Sequence, residues 1–368
     1  MTDLPGQPTN PANLSNLARA SRLMSVAALL ATLALGNVVQ AQSLPKTKLN
    51  VIGSISSLPV YKDYEVPFWT KTLAEKSSGA VTAEIKGFNE MGLKGPEVMR
   101  LMSQGTIEMG ATVLAYLASD DPMNEAVDIA GLATDVETAR RMTEVAKPMY
   151  ERLFREKFGS KLLGIGTYPA QVIYCNAEIK SLADLKGKKV RVGGRSQSEL
   201  MEALGASPVT MAFGEVVPAL QNKTVDCGIT GTLSGNIAKW HEVTTHLYSL
   251  AVSWGQIAYA VNLKTFEKLD PGVQKLIETE TRTLEKNIWD AAELHTTQGF
   301  FCNAGVDPCT LGTKGKMTLV RASDADKALL RKIVTDTMLP KWAARCSADC
   351  VSQFNDSIGK AAGVTARK

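Results

Sequence analysis

From residue 46 to its end, short apolar runs take turns with amphipathic ones along this chain. Apolar or alternating stretches at 46–52, 81–86, 108–114, 162–168, 171–176, 190–192, 208–213, 225–230, 246–252, 256–262 and 317–320 predict β-strands. Apolar positions three and four apart predict helices over 66–77, 96–104, 136–158, 199–204, 215–221, 237–242 and 270–297, with two more at the C-terminus. Several strands, 108–114 among them, are nearly uncharged, as in a sheet covered on both faces. Chemistry marks some boundaries: Ser78-Gly79 stops the first helix, Pro96 opens the second and Gly105 follows it. Thr134 is placed to cap the helix from 136, which Pro148 should interrupt or bend. The Gly/Thr/Ser-rich run 230–236 reads as a loop. Strands alternate with helices throughout, which is the pattern of an α/β protein with two sheets.

One stretch organises the rest. Residues 182–226 give a polar turn, the strand Val190-Arg191-Val192, a Gly-Gly turn, a helix, a second short strand and a second helix. This is a βαβα unit of a parallel sheet. A lone arginine in an apolar strand ahead of a glycine turn supplies two parallel N–H donors, which is what a carboxylate site needs. An edge-strand arginine facing solvent would leave the same local pattern.

Composition narrows the classes. The chain has 368 residues, 45% hydrophobic and 21% charged, as in a soluble globular protein of two domains. The formal charge of +4 is too small, and too evenly spread, to indicate nucleic acid. Residues 1–41 have the pattern of an export signal: Arg19 and Arg22, an uncharged apolar run over 23–35, and Val39-Gln40-Ala41 as a small-x-Ala cleavage site. That run is shorter than the roughly 20 residues of a membrane-spanning helix. The expected location is the periplasm. Six cysteines suit an oxidising compartment. Proximity proposes Cys302–Cys309, Cys346–Cys350 and Cys175–Cys227. A zinc site from the four C-terminal cysteines competes, with spacings unlike those of structural zinc sites.

Taken together, KSSGAVTAEIKGF (76–88), GLKGPEVMRLMSQGTIEMG (92–110), LADLKGKKVRV (182–192), LGASPVTMAFGEVVPALQNKTVD (204–226) and KWHEVTTHLY (239–248) resemble the substrate-binding proteins of tripartite ATP-independent periplasmic (TRAP) transporters, of the DctP type. The resemblance covers nearly the whole chain after the leader. It implies two α/β domains, 45–166 with 255–295 and 167–254 with 296–368, joined by crossing hinge segments and a long spanning helix. Ligand would be enclosed between them. It also implies that Arg191 forms a two-point salt bridge with a ligand carboxylate and that Phe213 packs against the ligand. Implied partners are a small-molecule organic acid and the TRAP membrane permease subunits; a monomer without cofactor or metal is expected.

Departures from the family pattern bear on the ligand. Thr230 stands where an amide is common, and 166–169 is Gly-Thr-Tyr-Pro where some members have a second arginine. The strand 110–114 offers no charge. Tyr168, Gln171 and Trp254 are further candidates for the site, and Arg195 is a candidate second donor. Few charges and more aromatic surface favour a monocarboxylate with an apolar or aromatic body over a dicarboxylate or sugar acid. A sensor domain binding the same acid is an alternative. A secreted hydrolase is the other, but Gly231, Ser234 and Gly235 lack the spacing of a nucleophile elbow. His241, His246 and His295 form no metal-ligand pattern.

Overall fold

The computed structural model describes residues 43–368, so the expected export signal lies outside the described residues. Two sheets carry the fold. The first contains β1 (Thr47–Gly53), β2 (Val81–Gly87), β3 (Met109–Val113), β4 (Ser160–Gly166) and β10 (Ile257–Asn262), in the order β2-β1-β3-β10-β4. The second contains β5 (Gln171–Cys175), β6 (Lys189–Val192), β7 (Ser207–Thr210), β8 (Cys227–Gly231), β9 (His246–Ser253) and β11 (Thr318–Val320), in the order β11-β9-β5-β8-β6-β7. β3, β5, β8 and β10 sit in the interior of these sheets, and all of their residues are buried, as their uncharged sequences require.

Each sheet has one strand running against the others, β10 in the first and β5 in the second. Both are the strands the chain enters just after crossing between sheets, at 167–170 and 254–256. The parallel strands end at the cleft, so a chain arriving across the cleft must start there and run away from it. The two crossings are tied together: Thr167 Oγ1 donates to Trp254 O at 3.2 Å.

Helix α1 (Val136–Phe158) covers the first sheet, capped by Asp135 rather than Thr134 and closed by Gly159 in the left-handed region. It runs without a break through Pro148, because its apolar face is fixed by packing on β4. Helix α2 (Arg195–Ala203) starts four residues before the expected 199. Helix α3 (Thr232–Ile237) occupies the run expected as a loop. No capping signal announces it, and Gly235 weakens it locally. Its support is tertiary: it lies against the long helix α4 (Pro271–Ala304), where a Cβ on Gly299 would stand 2.3 Å from Leu233 N. α4 serves both sheets, with Trp289 Nε1 donating to Ile165 O and Asn303 Nδ2 donating to the Tyr174 hydroxyl, each at 2.8 Å. Helix α5 (Leu339–Arg345) follows in the C-terminal arm, whose later turns reach α1; Arg141 donates there to Ala361 O.

The three disulfides are Cys175–Cys227, Cys302–Cys309 and Cys346–Cys350. The first joins residues directly opposite in the β5–β8 register. These pairings leave no cysteine for the competing zinc site. No helix among the described residues is long and apolar enough to cross a membrane.

Candidate functional site

The C-terminal ends of β1, β3, β6 and β8 converge on the space between the sheets, the position where open α/β sheets bind ligands. A small chamber of about 50 Å³ lies there, walled by both sheets and both crossings. The first sheet contributes Ile55, Leu58, Val113 and Tyr116. The second contributes Arg191, Gly193, Ser196, Gln197, Ile229 and Thr230, and the crossings add Tyr168, Gln171 and Gly255. Asp128, Phe213 and Ser234 also line it.

Arg191 is buried, with 4% of its surface exposed. Its guanidinium is held by backbone carbonyls: Nε and Nη2 donate to Met211 O at 3.2 and 3.0 Å, and Nη1 donates to Ile229 O at 2.8 Å. A guanidinium has five N–H donors, so one on Nη1 and one on Nη2 remain after the carbonyl bonds, with the Tyr116 hydroxyl as their polar neighbour. No carboxylate among the described residues makes an ion pair with it. The Trp240 ring sits 5.8 Å from Arg191 Cζ, and Phe213 stacks on the other part of that indole at 5.7 Å. Burial pulls the Arg191 pKa down, opposed by Tyr116 and Glu215. An arginine anchored from behind by carbonyls, with two donors left over, is set for a bidentate anion.

Glycine 193 keeps the approach clear. A Cβ there would stand 3.8 and 3.9 Å from Arg191 Nη2 and Nη1. Gln197 fixes the turn by accepting from Gly193 N at 2.8 Å and donating to Ser253 Oγ at 2.8 Å.

Of the residues expected in the site, Arg191, Phe213, Tyr168, Gln171 and Thr230 line the chamber. Trp254 does not. Its indole N–H donates to Ala133 O at 3.1 Å, so the ring lies under the crossing and the neighbouring Gly255 faces the chamber. Arg195 does not line it either; the side chain is half exposed and pairs with Glu199 at 3.4 Å along α2. The Tyr168 hydroxyl and Ser234 Oγ are buried without a hydrogen-bond partner. Such orphaned groups belong where something polar arrives from outside the protein.

Sequence reading missed Tyr116, Asp128, Ser234 and Gly193. Asp128 carried a signal, an acid inside the apolar run 126–131, of the same kind as Arg191. It is nearly fully buried, and its two oxygens accept from Trp254 N at 2.7 Å and Gly255 N at 2.9 Å, clamping the second crossing. Burial pushes its pKa up to about 7 against the pull of those two N–H groups. Ser234 was hidden because α3 was read as a loop.

Two mixed sheets exchanging two chain crossings around an enclosed, arginine-bearing chamber define a two-lobed solute-binding protein. Comparison with known proteins gives the family. Residues 56–300 match the family DctP, bacterial extracellular solute-binding protein, family 7, and the chain belongs to it. Its members are substrate-binding receptors of TRAP transporters and not enzymes. A curated relative is YiiZ of Salmonella typhimurium, an uncharacterized protein, 28% identical over 71% of this chain and 81% of its own length. Among solved structures, DctP7 of Bordetella pertussis, an extracytoplasmic solute receptor binding pyroglutamic acid, matches with a TM-score of 0.76 at 21% identity, covering 84% of this chain and 99% of that one. A TRAP periplasmic solute-binding protein of Desulfovibrio salexigens with bound orotic acid matches with a TM-score of 0.75 at 20% identity, over 85% of this chain and 99% of the other.

Proposed function

We propose that this receptor captures a monocarboxylate in the periplasm and delivers it to TRAP permease subunits in the membrane. The observation that carries this reading is Arg191: a buried cation with two unused donors and no carboxylate partner among the described residues, facing an enclosed chamber. Leaving a buried charge without a counter-ion is costly, and a ligand carboxylate removes that cost. One carboxylate is the reading because Arg191 is the chamber's single cation among the described residues. Its other polar groups are hydroxyls and amides, apart from Asp128, whose two oxygens are taken by the Trp254 and Gly255 N–H groups. Tyr168, Gln171, Thr230 and Ser234 would meet the body of the ligand, with Phe213 covering it. DctP7 and the Desulfovibrio protein, by their descriptions, hold pyroglutamic and orotic acid, each a single carboxylate on a small ring.

The domain division drawn from the sequence (45–166 with 255–295, and 167–254 with 296–368) belongs to the same proposal. Closure of the two halves would dehydrate the ion pair and strengthen it. It is favoured only by contacts that the closed form alone makes to the ligand. A thermal-shift screen of carboxylates on unfolded, ligand-stripped and refolded protein tests the reading, followed by calorimetry on the hits. Monocarboxylates should raise the unfolding temperature above any effect of succinate or malate. The reverse ranking would overturn the monocarboxylate assignment.

A further inference from the structure

Beyond the chamber that holds Arg191 lies a second one about nine times larger, near 470 Å³. The two share Ile55, Tyr116, Gly193 and Phe213 as walls, so the larger one begins where the first ends, past the Phe213 ring. We propose that it is the compartment for an uncharged, apolar tail, and that the ligand is an extended carboxylic acid of alkyl or aryl-alkyl type. This inference rests on the carboxylate reading of Arg191.

Size carries the first part. The inner chamber, about 50 Å³ against about 470 Å³, is much the smaller of the two. It accommodates the carboxylate and a small body beside it, the part that Tyr168, Gln171, Thr230 and Ser234 would meet. A longer chain attached to that body has to continue outward, and the shared wall gives the direction.

The lining carries the second part. From the first sheet's side come Phe88, Leu93 and Pro96; from the second's come Met211, Val217 and Trp240. Trp240 is fully buried and stacks on Phe213, so the aromatic wall is rigid. Lys94 and Glu215 are the charged residues among the outer lining, and they face each other across the cleft at 3.5 Å. With each cation and anion matched to the other, no free charge is offered to a second ionic group on the ligand. An apolar occupant bridging Phe88 and Leu93 to Met211 and Val217 would also join the two halves, so tail burial and closure would favour each other.

Gly214 supplies a clean test. It lines the outer chamber only, its φ lies outside the left-handed region, and an added Cβ would meet nothing within 4 Å. Calorimetry on the ligand-stripped full chain with butyrate, hexanoate, octanoate and 4-phenylbutyrate should show affinity rising about fourfold per added methylene once the tail passes Phe213. Gly214→Trp should leave butyrate within twofold of the parent and weaken octanoate and 4-phenylbutyrate at least tenfold; Val217→Phe is a second plug, from the helix that follows on the same side of the space. Equal affinity along the series, or a plug that weakens butyrate as much as octanoate while unfolding stays cooperative, would overturn the tail compartment and leave the carboxylate reading standing. If Arg191→Ala binds all four acids as the parent does, the carboxylate reading fails and this inference with it; a parent that binds none of the four overturns the tail compartment alone.

Discussion

Two arginines in this protein, one buried and one partly buried, have opposite fates. Arg345, at the end of α5, is held between two carboxylates: its Nη2 pairs with Glu125, which is fully buried, and its Nη1 pairs with Glu199 on α2. Arg191, buried more deeply, has carbonyl oxygens, an indole face and the Tyr116 hydroxyl around it, and no carboxylate paired with it among the described residues. The first arginine ties together the segment ending at Asp128, the helix that carries Ser196 and Gln197, and the C-terminal arm. It is spent on structure. The second is anchored on one side and left open on the other, and that incompleteness is what makes it useful for binding. Burial raises the Glu125 pKa while Arg345 pulls it back, so Glu125 depends on its partner to stay ionised. Arg191 awaits a partner from outside the chain.

The comparison breaks most visibly in a stability measurement. Removing Arg345 with Arg345→Met leaves the fully buried Glu125 without its ion-pair partner and Glu199 with Arg195 alone, and urea unfolding should show a loss of about 3–5 kcal/mol. A loss under 1 kcal/mol would mean that the triad is solvent-screened and structurally idle. Arg191→Met should do the reverse. Stability should hold or rise, because a buried charge without a counter-ion has gone, while carboxylate affinity by calorimetry should fall by about 2–5 kcal/mol. Retained affinity would take Arg191 out of the site.

Gly193→Ala sharpens the contrast at smaller scale. The added methyl is in ordinary contact with its neighbours, so the fold should tolerate it, but it stands beside both Arg191 Nη atoms. Affinity should drop by about 1–3 kcal/mol in calorimetry with an unchanged unfolding midpoint. An unchanged affinity would place the ligand carboxylate elsewhere around the guanidinium.

Asp128 gives the smallest effect and a pH dependence. Its folded pKa is raised to about 7, above the usual carboxylate range. The folded state therefore holds a proton that the unfolded chain has released above about pH 4. Stability from this group is greatest at low pH and falls as pH rises toward 7, by about 1 kcal/mol between pH 6 and 7. Glu65 and Glu125 are shifted the same way by burial, so the measurement is the difference between parent and Asp128→Asn. The parent should lose more stability than the variant over that interval; parallel curves would show that Asp128 is ionised throughout.

Much of this architecture was legible in the chain because its signals are local. Uncharged runs marked the interior strands, Asp270-Pro271 marked the start of α4, and a charge alone in the strand 190–192 marked Arg191. Where the reading failed, the deciding contact was remote. α3 is a helix because Gly299, some sixty residues later, lets it approach α4. Pro148 stays inside a helix because the helix packs on β4. Trp254 turned from the chamber because Asp128 and Ala133 claim its backbone and indole N–H groups.

The sequence by itself determined the class of fold, the family motifs and the cation on which the site is built, since periodicity, turns and an isolated charge are properties of neighbouring residues. Only the tertiary structure decided which arginine is free. Arg191 and Arg345 carry the same guanidinium, and the difference between a ligand anchor and a structural tie lies in whether the fold brings a carboxylate to it.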